Sequence, residues 1–314
     1  NPVEWDFKNA KLAAEYLMEP KDKPFFLSYG TFAAHRPYPP VAEGIEPDYM
    51  PVPFPVSDDN MSRTEFSQYA TSARYADQCI GIVMEALRAS GHLCDTLVLL
   101  TTDHGIAYPK MKCSHYDTGT GVAMVIMYPD NPMGGRALDA LVSQIDIFPT
   151  LCDLLGLEAP DWLQGHSLVP LLKGEKEEVN TEVYAEMNYH AAYEPVRSIR
   201  TNRYKYIMRF GEYDTVLLPN IDEGYSKEKL VGHGIGAQRV EKEMLFDLVH
   251  DPVERVNLIS DPAYEDVCTE LSQRLADWMM RTKDPLLKGR VPKPPGARVT
   301  KPGCATPSYT EIEE

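Results

Sequence analysis

Residues 96–105 read TLVLLTTDHG, a nearly uncharged run of β-prone residues that ends in an aspartate, a histidine and a glycine. A continuous run of this kind is typical of a central parallel strand that is covered on both faces. In open α/β sheets, ligands bind beyond the carboxyl ends of the strands. The stretch therefore predicts a central strand that leads directly into a ligand-binding loop.

The segments around this strand alternate between helical and strand-like patterns. Helical spacing of apolar residues or short apolar runs is found in residues 5–18, 25–29, 62–90, 122–128 and 143–155. Gly91 and Gly156 follow the second and third helical segments, as expected of residues that end helices. This order predicts an α/β chain with a doubly wound, mixed sheet.

The pattern changes at residues 173–180, where five of the eight residues of KGEKEEVN are charged. Short strand-like pieces and one helix follow, and the last residues are rich in proline and aperiodic. We therefore predict the C-terminal portion of an α/β domain over residues 1–175. A small antiparallel β subdomain with a closing helix follows over 176–284, and an extended tail over 285–314.

The composition excludes several classes of partner. The chain has 31 lysines and arginines against 47 aspartates and glutamates, a formal net charge of −16, and so acidic a surface repels nucleic acid. It has no apolar run of the roughly 18 residues that a membrane-spanning helix needs. Its 6 cysteines include no CxxC pair, which disfavours a structural zinc site. We expect them to be buried as small apolar residues or to form one or two disulfides.

Asp103 and His104 are the candidate metal ligands. Adjacent Asp and His residues at the end of a strand can both turn toward one metal ion if the backbone bends, and Gly105 permits the bend. The structural alternative is that Asp103 caps the following turn while His104 packs.

His35 and Lys112 are the candidate catalytic residues. His35 follows the predicted strand 25–29, which would place it on the same edge of the sheet as Asp103. Lys112 could neutralise negative charge that develops on a leaving oxygen. Taken alone, a single histidine is more often structural, and a loop lysine is more often solvated.

Glu186, His190 and Arg197 are the candidate substrate-binding residues. They lie in AEMNYHAAYEPVRSIR, residues 185–200, an unusual density of ionisable groups for a strand-like segment. A guanidinium binds anionic or hydroxylated groups through its planar fork. The alternative is an exposed sheet edge that carries charges.

Six collinear segments resemble the sulfatases of the alkaline-phosphatase superfamily, and within them the heparan N-sulfatase (sulfamidase) group most. The segments are KPFFLSYGTFAAHRPYPP, FSQYATSARYADQCIGIVMEAL, DTLVLLTTDHGIAYP, QIDIFPTLCDLLGL with LQGHSLVPLL, EPVRSIRTNRYKYI and EMLFDLVHDPVERVNLISDP. The resemblance implies an alkaline-phosphatase-like fold. It also implies that Asp103 and His104 bind a divalent metal, usually calcium, and that His35 and Lys112 contact the sulfate or its leaving oxygen.

The chain departs from the family pattern at three places. Many members have Asn at the position of His104, and because imidazole suits Mn²⁺ or Zn²⁺ better than Ca²⁺, these ions are alternatives. Some members have Asp-Pro where Ala33-Ala34 precedes His35. The formylglycine motif C-x-P-S-R and the Asp-Asp pair that follows the first strand do not occur in this chain. We therefore expect the formylglycine nucleophile upstream of residue 1, and this chain to be the C-terminal two thirds of a sulfatase.

The resemblance implies a metal-dependent hydrolase of sulfate esters or sulfamates on a sulfated carbohydrate, and so a role in glycosaminoglycan degradation. The partner would be a sulfated glycan or a small sulfate ester, the location extracytoplasmic, and a homodimer is compatible with the sequence. Two alternatives are a phosphatase or phosphonate monoester hydrolase of the same superfamily, and a catalytically silent fragment or binding subunit.

Overall fold

The computed structural model describes residues 2–313, which form two compact units. Unit 1 comprises the chain up to Lys112, Val122–Pro129 and Asp222–His233. Unit 2 comprises Cys113–Gly121, Asp130–Ile221 and the chain from Gly234 onward. Each unit is thus assembled from segments that are distant in the sequence. The three consecutive parts predicted above are a different division, and they stay a prediction.

The chain is mixed α/β, as predicted. Its helices are α1 (Pro2–Met18), α2 (Asn60–Ala89), α3 (Asp117–Thr120), α4 (Ile147–Leu155), α5 (Val169–Leu172), α6 (Tyr225–Gly232) and α7 (Glu265–Thr282). Its strands are β1 (Val98–Thr101), β2 (Met124–Met127), β3 (Glu182–Tyr189), β4 (Tyr193–Thr201), β5 (Tyr204–Arg209) and β6 (Glu243–Asp247). No helix in residues 2–313 is both long and apolar enough to cross a membrane.

Unit 1 is built on the long helix α2. The Asp59 carboxylate accepts the backbone N–H of Ser62 and begins this helix, and Gly91, with φ of 83°, follows its last turn. Leu17 of α1 packs on Leu87 of α2, with β1 against the same cluster. This packing fixes the strand whose end carries the candidate metal ligands.

Unit 2 is built on the antiparallel sheet β3–β4–β5–β6. Side chains alternate between the two faces of the sheet: Tyr206 and Leu245 belong to the cluster with α7, whereas Ile207 and Met244 belong to a second cluster. On α7, Leu271, Leu275 and Met279 recur every fourth residue and are buried against the sheet. The predicted antiparallel sheet with a closing helix is confirmed.

The parallel arrangement predicted for residues 96–102 is not found in the described part of the chain. There β1 pairs antiparallel with β2, Val98 opposite Met127 and Thr101 opposite Met124. Residues 25–29 alternate between half-buried and exposed positions but belong to no sheet within residues 2–313. An alternating or apolar run indicates an extended chain, whereas its pairing depends on which neighbouring strand is present.

We expect Leu245→Ala to lower the free energy of unfolding of unit 2 by about 2–5 kcal/mol, because it leaves a cavity under α7. Leu245 is fully buried, whereas Val249, 63% exposed, provides the control Val249→Ala. Chemical denaturation measures both variants. Equal stability of the two would contradict the assignment of Leu245 to the core.

Candidate functional site

The loop after β1 holds Asp103 and His104 in one compact turn. Asp103 is 87% exposed at its side chain, and its Oδ1 accepts the backbone N–H of His104 at 3.1 Å. The His104 Nδ1 lies 2.6 Å from the carbonyl oxygen of Gly105. Because a carbonyl oxygen only accepts hydrogen bonds, Nδ1 carries a proton, which leaves the lone pair of the neutral ring on Nε2.

Two ligand atoms therefore face each other at this turn. The His104 Nε2 is 3.4 Å from the Asp103 Oδ2, a separation that adjacent ligands of one divalent cation can adopt. Residues 2–313 contain no cluster of three or more His, Cys, Asp or Glu side chains placed to hold a metal. Asp103 and His104 thus fit as two ligands of a metal site that needs further ligands.

A buried carboxylate holds the His35 loop. Asp6 of α1 is only 1% exposed, and its two oxygens accept the backbone N–H groups of Phe32 and Ala33 at 2.7 and 2.9 Å. His35 is exposed, and its Nδ1 lies 2.6 Å from the carbonyl oxygen of Arg36. The same argument as for His104 gives Nδ1 the proton, so Nε2 is the nitrogen that can contact a ligand.

Arg36 connects the His35 loop to the loop that follows β1. Its Nε donates to the carbonyl oxygen of Ala107 at 2.8 Å, and one terminal nitrogen donates to Glu65 of α2 at 2.8 Å. The guanidinium carbon lies 4.5 Å and 4.8 Å from the ring centroids of Tyr38 and Tyr108. These contacts of Arg36 connect the loop that carries His35 to the loop that carries Asp103 and His104, both in unit 1.

Lys112 lies at the end of the same loop, which is tightly turned. Its backbone N–H donates to Ile106 at 3.0 Å, next to the buried side chains of Tyr108 and Met111. The Lys112 side chain is 9% exposed, and its ammonium forms an ion pair at 3.1 Å with Asp222, whose side chain is 19% exposed. Lys112 is therefore a nearly buried cation that is fixed by an ion pair, and not a solvated loop lysine.

The three candidate substrate-binding residues lie in unit 2. Glu186 and His190 are exposed, the first on β3 and the second in the turn before β4. Arg197 on β4 is 0% exposed, and its guanidinium forms two hydrogen bonds with the buried Asp284 at 2.6 and 3.0 Å. Its other donors face Met187 O, Val196 O and Asn188. A substrate could reach Arg197 only if the Asp284 pair opened, so we leave this residue out of the proposed site.

Unit 2 also contains a buried polar cluster that the sequence did not indicate. His115 Nδ1 lies 2.8 Å from the Ser198 hydroxyl, and Lys205 forms ion pairs with Asp117 and Glu254. Burial, with Lys205 nearby, lowers the pKa of His115 to about 3. The neutral, enclosed histidine and its serine are therefore part of the core of this unit.

Sequence reasoning missed three residues that shape the site in unit 1. Asp6 and Glu65 lie in segments whose helical spacing predicts which face is buried but not which distant groups the side chains contact. Asp222 lies 110 positions from Lys112, the residue it contacts, so no spacing in the sequence links the two.

Two family models match the chain. One, described as Sulfatase, matches residues 4–157, and the other, described as N-sulphoglucosamine sulphohydrolase, C-terminal, matches residues 109–225. The human N-sulphoglucosamine sulphohydrolase is 27% identical over 87% of this chain and 64% of its own length. The Delta 4,5-hexuronate-2-O-sulfatase of Bacteroides thetaiotaomicron is 32% identical over 70% of this chain and 42% of its own length.

Solved structures share the fold. A putative sulfatase from Bacteroides thetaiotaomicron VPI-5482 superposes with a TM-score of 0.66 at 23% identity, over 100% of this chain and 70% of that chain. The chain spans between 42% and 64% of the length of the two curated relatives described above.

We expect Asp284→Asn to lower the free energy of unfolding by about 3 kcal/mol at neutral pH, because it leaves the Arg197 charge buried without a counterion. Burial alone would raise the pKa of Asp284, but Arg197 and the Leu286 N–H hold it below its ordinary 3.8. The contribution of the Asp284 carboxylate to the free energy of unfolding is therefore complete above pH 3.8, its ordinary pKa. It is lost as the pH falls through the lower pKa of the folded state.

The difference in unfolding free energy between wild type and Asp284→Asn should thus be constant near neutrality and shrink below about pH 4. Urea denaturation at a series of pH values measures it. Glu270→Gln, which removes an exposed ion pair with Arg274, is the control and should change stability by less than about 1 kcal/mol. A difference that grows in acid would contradict the assignment.

Proposed function

Because the chain belongs to the sulfatase family, we propose that the intact protein hydrolyses a sulfate ester or sulfamate on a sulfated carbohydrate. The observation that carries this proposal is the common placement of His35, Asp103, His104 and Lys112 on connected loops of unit 1. A cation, two imidazole nitrogens and a carboxylate are the groups that an oxyanion-transferring site needs.

The substrate class is supported by the names of the relatives. One is a sulphohydrolase of N-sulphoglucosamine, and the other is a 2-O-sulfatase of a hexuronate. Both names describe sulfated sugars, so we propose a sulfated glycan, bearing either N- or O-sulfate. Breakdown of glycosaminoglycans in an extracytoplasmic compartment is the corresponding role.

We assign each residue of unit 1 one task. The Lys112 ammonium would stabilise the negative charge on the leaving atom or on a sulfate oxygen. In its doubly protonated form, in which Nδ1–H still faces the Arg36 carbonyl oxygen, His35 would donate its Nε2 proton to the leaving atom. The Asp103 Oδ2 and His104 Nε2 would hold a divalent cation, which supplies positive charge at the sulfate.

The nucleophile is proposed to come from a segment outside these residues. A formylglycine there would supply the hydroxyl that attacks sulfur, and the sequence motif from which it is made does not occur in residues 1–314. Glu186 and His190 are proposed to contact the sugar.

We expect Lys112→Ala to lower kcat/KM about a hundredfold, because one charged group at the reacting oxyanion is removed. The matched control is Lys229→Ala, another lysine of unit 1 that is paired with an aspartate, Asp59. Rates on glucosamine N-sulfate, a 2-O-sulfated uronate, an aryl sulfate and an aryl phosphate test the function and its alternatives. Faster turnover of the phosphate would favour phosphatase chemistry, and unchanged turnover by Lys112→Ala would remove this lysine from the site.

We expect a chelator to abolish turnover and one added divalent cation to restore it. His104→Asn should shift the restoring ion from Mn²⁺ or Zn²⁺ toward Ca²⁺, because an amide oxygen replaces an imidazole nitrogen. Activity titrations with each ion measure this preference, and the exposed His250, which has no proposed role, provides the control His250→Asn. The same ion preference in both variants would contradict the assignment of His104 as a ligand.

A further inference from the structure

The contact between Lys112 and Asp222 joins two distant parts of the sequence within unit 1. The Lys112 Nζ donates to Asp222 Oδ1 at 3.3 Å and lies 3.1 Å from Oδ2. Asp222 begins the segment 222–233, whose helix α6 packs on α2. Asp222 itself lies in the short irregular segment three residues before α6, so the packing of that helix limits how far the carboxylate can move.

Both oxygens of the Asp222 carboxylate face the Lys112 ammonium, Oδ1 through a hydrogen bond at 3.3 Å and Oδ2 at 3.1 Å. The hydroxyls of Tyr38 and Tyr108, also in unit 1, are buried and have no hydrogen-bond partner among the described residues. Buried polar groups of proteins normally have partners, so these two hydroxyls can take part in binding a further polar group.

Tyr38 lies close to the Asp222 carboxylate. Burial raises the pKa of this tyrosine well above its ordinary value, and the negative charges of Glu65 and Asp222 raise it further, although Arg36 opposes them. The phenol therefore stays protonated and is available as a hydrogen-bond donor.

An ammonium has three N–H donors on a flexible stem. With one directed at Asp222, two donors remain for the oxygens of a bound oxyanion. Without the carboxylate, the four-carbon side chain would sample several rotamers. Substrate binding would then have to fix it in one of them, at a cost in conformational entropy.

We propose that Asp222 is a positioning residue that holds the Lys112 ammonium in the direction of the leaving oxygen. This inference rests on the proposed function. The Asp222 carboxylate also repels a bound sulfate, which weakens substrate binding in the ground state. Its benefit is that it orients the lysine for the transition state.

Asp222→Asn should therefore lower kcat about tenfold while KM stays equal or falls, because orientation is lost and repulsion is removed. Asp222→Glu should recover part of kcat. Glu223→Gln, which removes the neighbouring ion pair with Lys227, is the control and should match wild type. A Lys112→Ala background should abolish the effect of Asp222→Asn. Additive effects of the two substitutions, or a raised KM with kcat unchanged, would overturn the proposal.

A second measurement needs no turnover. Labelling of Lys112 by an amine-reactive ester, followed by mass spectrometry, should be about threefold or more faster in Asp222→Asn than in wild type or Glu223→Gln. Unchanged labelling in a variant that melts like wild type would overturn the proposal. An inactive wild-type protein that includes the proposed nucleophile segment would contradict the proposed function instead, and the labelling would then decide by itself whether Asp222 holds Lys112.

Discussion

The Arg36 guanidinium is the contact on which the site in unit 1 depends. It donates to a backbone carbonyl of the loop after β1 and to Glu65 of α2, and it lies between two tyrosine rings. The second Glu65 oxygen accepts the backbone N–H of Ser226, at the start of α6. One ion pair thus joins the His35 loop, the loop that ends at Lys112 and the element that carries Asp222. A partly buried pair of this kind stabilises little by itself, but breaking it would leave an unpaired charge inside the site.

The cations near the site are paired with carboxylates. A chain with a net charge of −16 is poorly suited to a polyanionic substrate at long range. Within unit 1, Arg36 is paired with Glu65 and Lys112 with Asp222, so these two cations attract a distant anion only weakly. The site would therefore gain affinity for sulfate through short contacts and a bound metal, and its specificity would come from geometry.

The sequence allowed the helices and the C-terminal sheet to be predicted, because apolar spacing and glycines report local structure directly. Helix α2 begins and ends within two residues of the predicted segment 62–90. The strand at residues 98–101 and its polar loop were also found, but its pairing was not, because pairing depends on a neighbouring strand. The substrate-binding role predicted for Arg197 stays a prediction, and its pairing with Asp284 could not be foreseen because that partner is 87 positions away. Asp222 was missed because no spacing rule links it to Lys112.

The most direct test of the account is a crystal structure of the protein from its complete reading frame, grown with a divalent cation and soaked with inorganic sulfate. The account predicts anomalous density for the cation between the Asp103 Oδ2 and the His104 Nε2, with a sulfate in hydrogen-bond reach of the Lys112 Nζ and the His35 Nε2. A cation bound without Asp103 and His104, or a sulfate that contacts neither Lys112 nor His35, would contradict it.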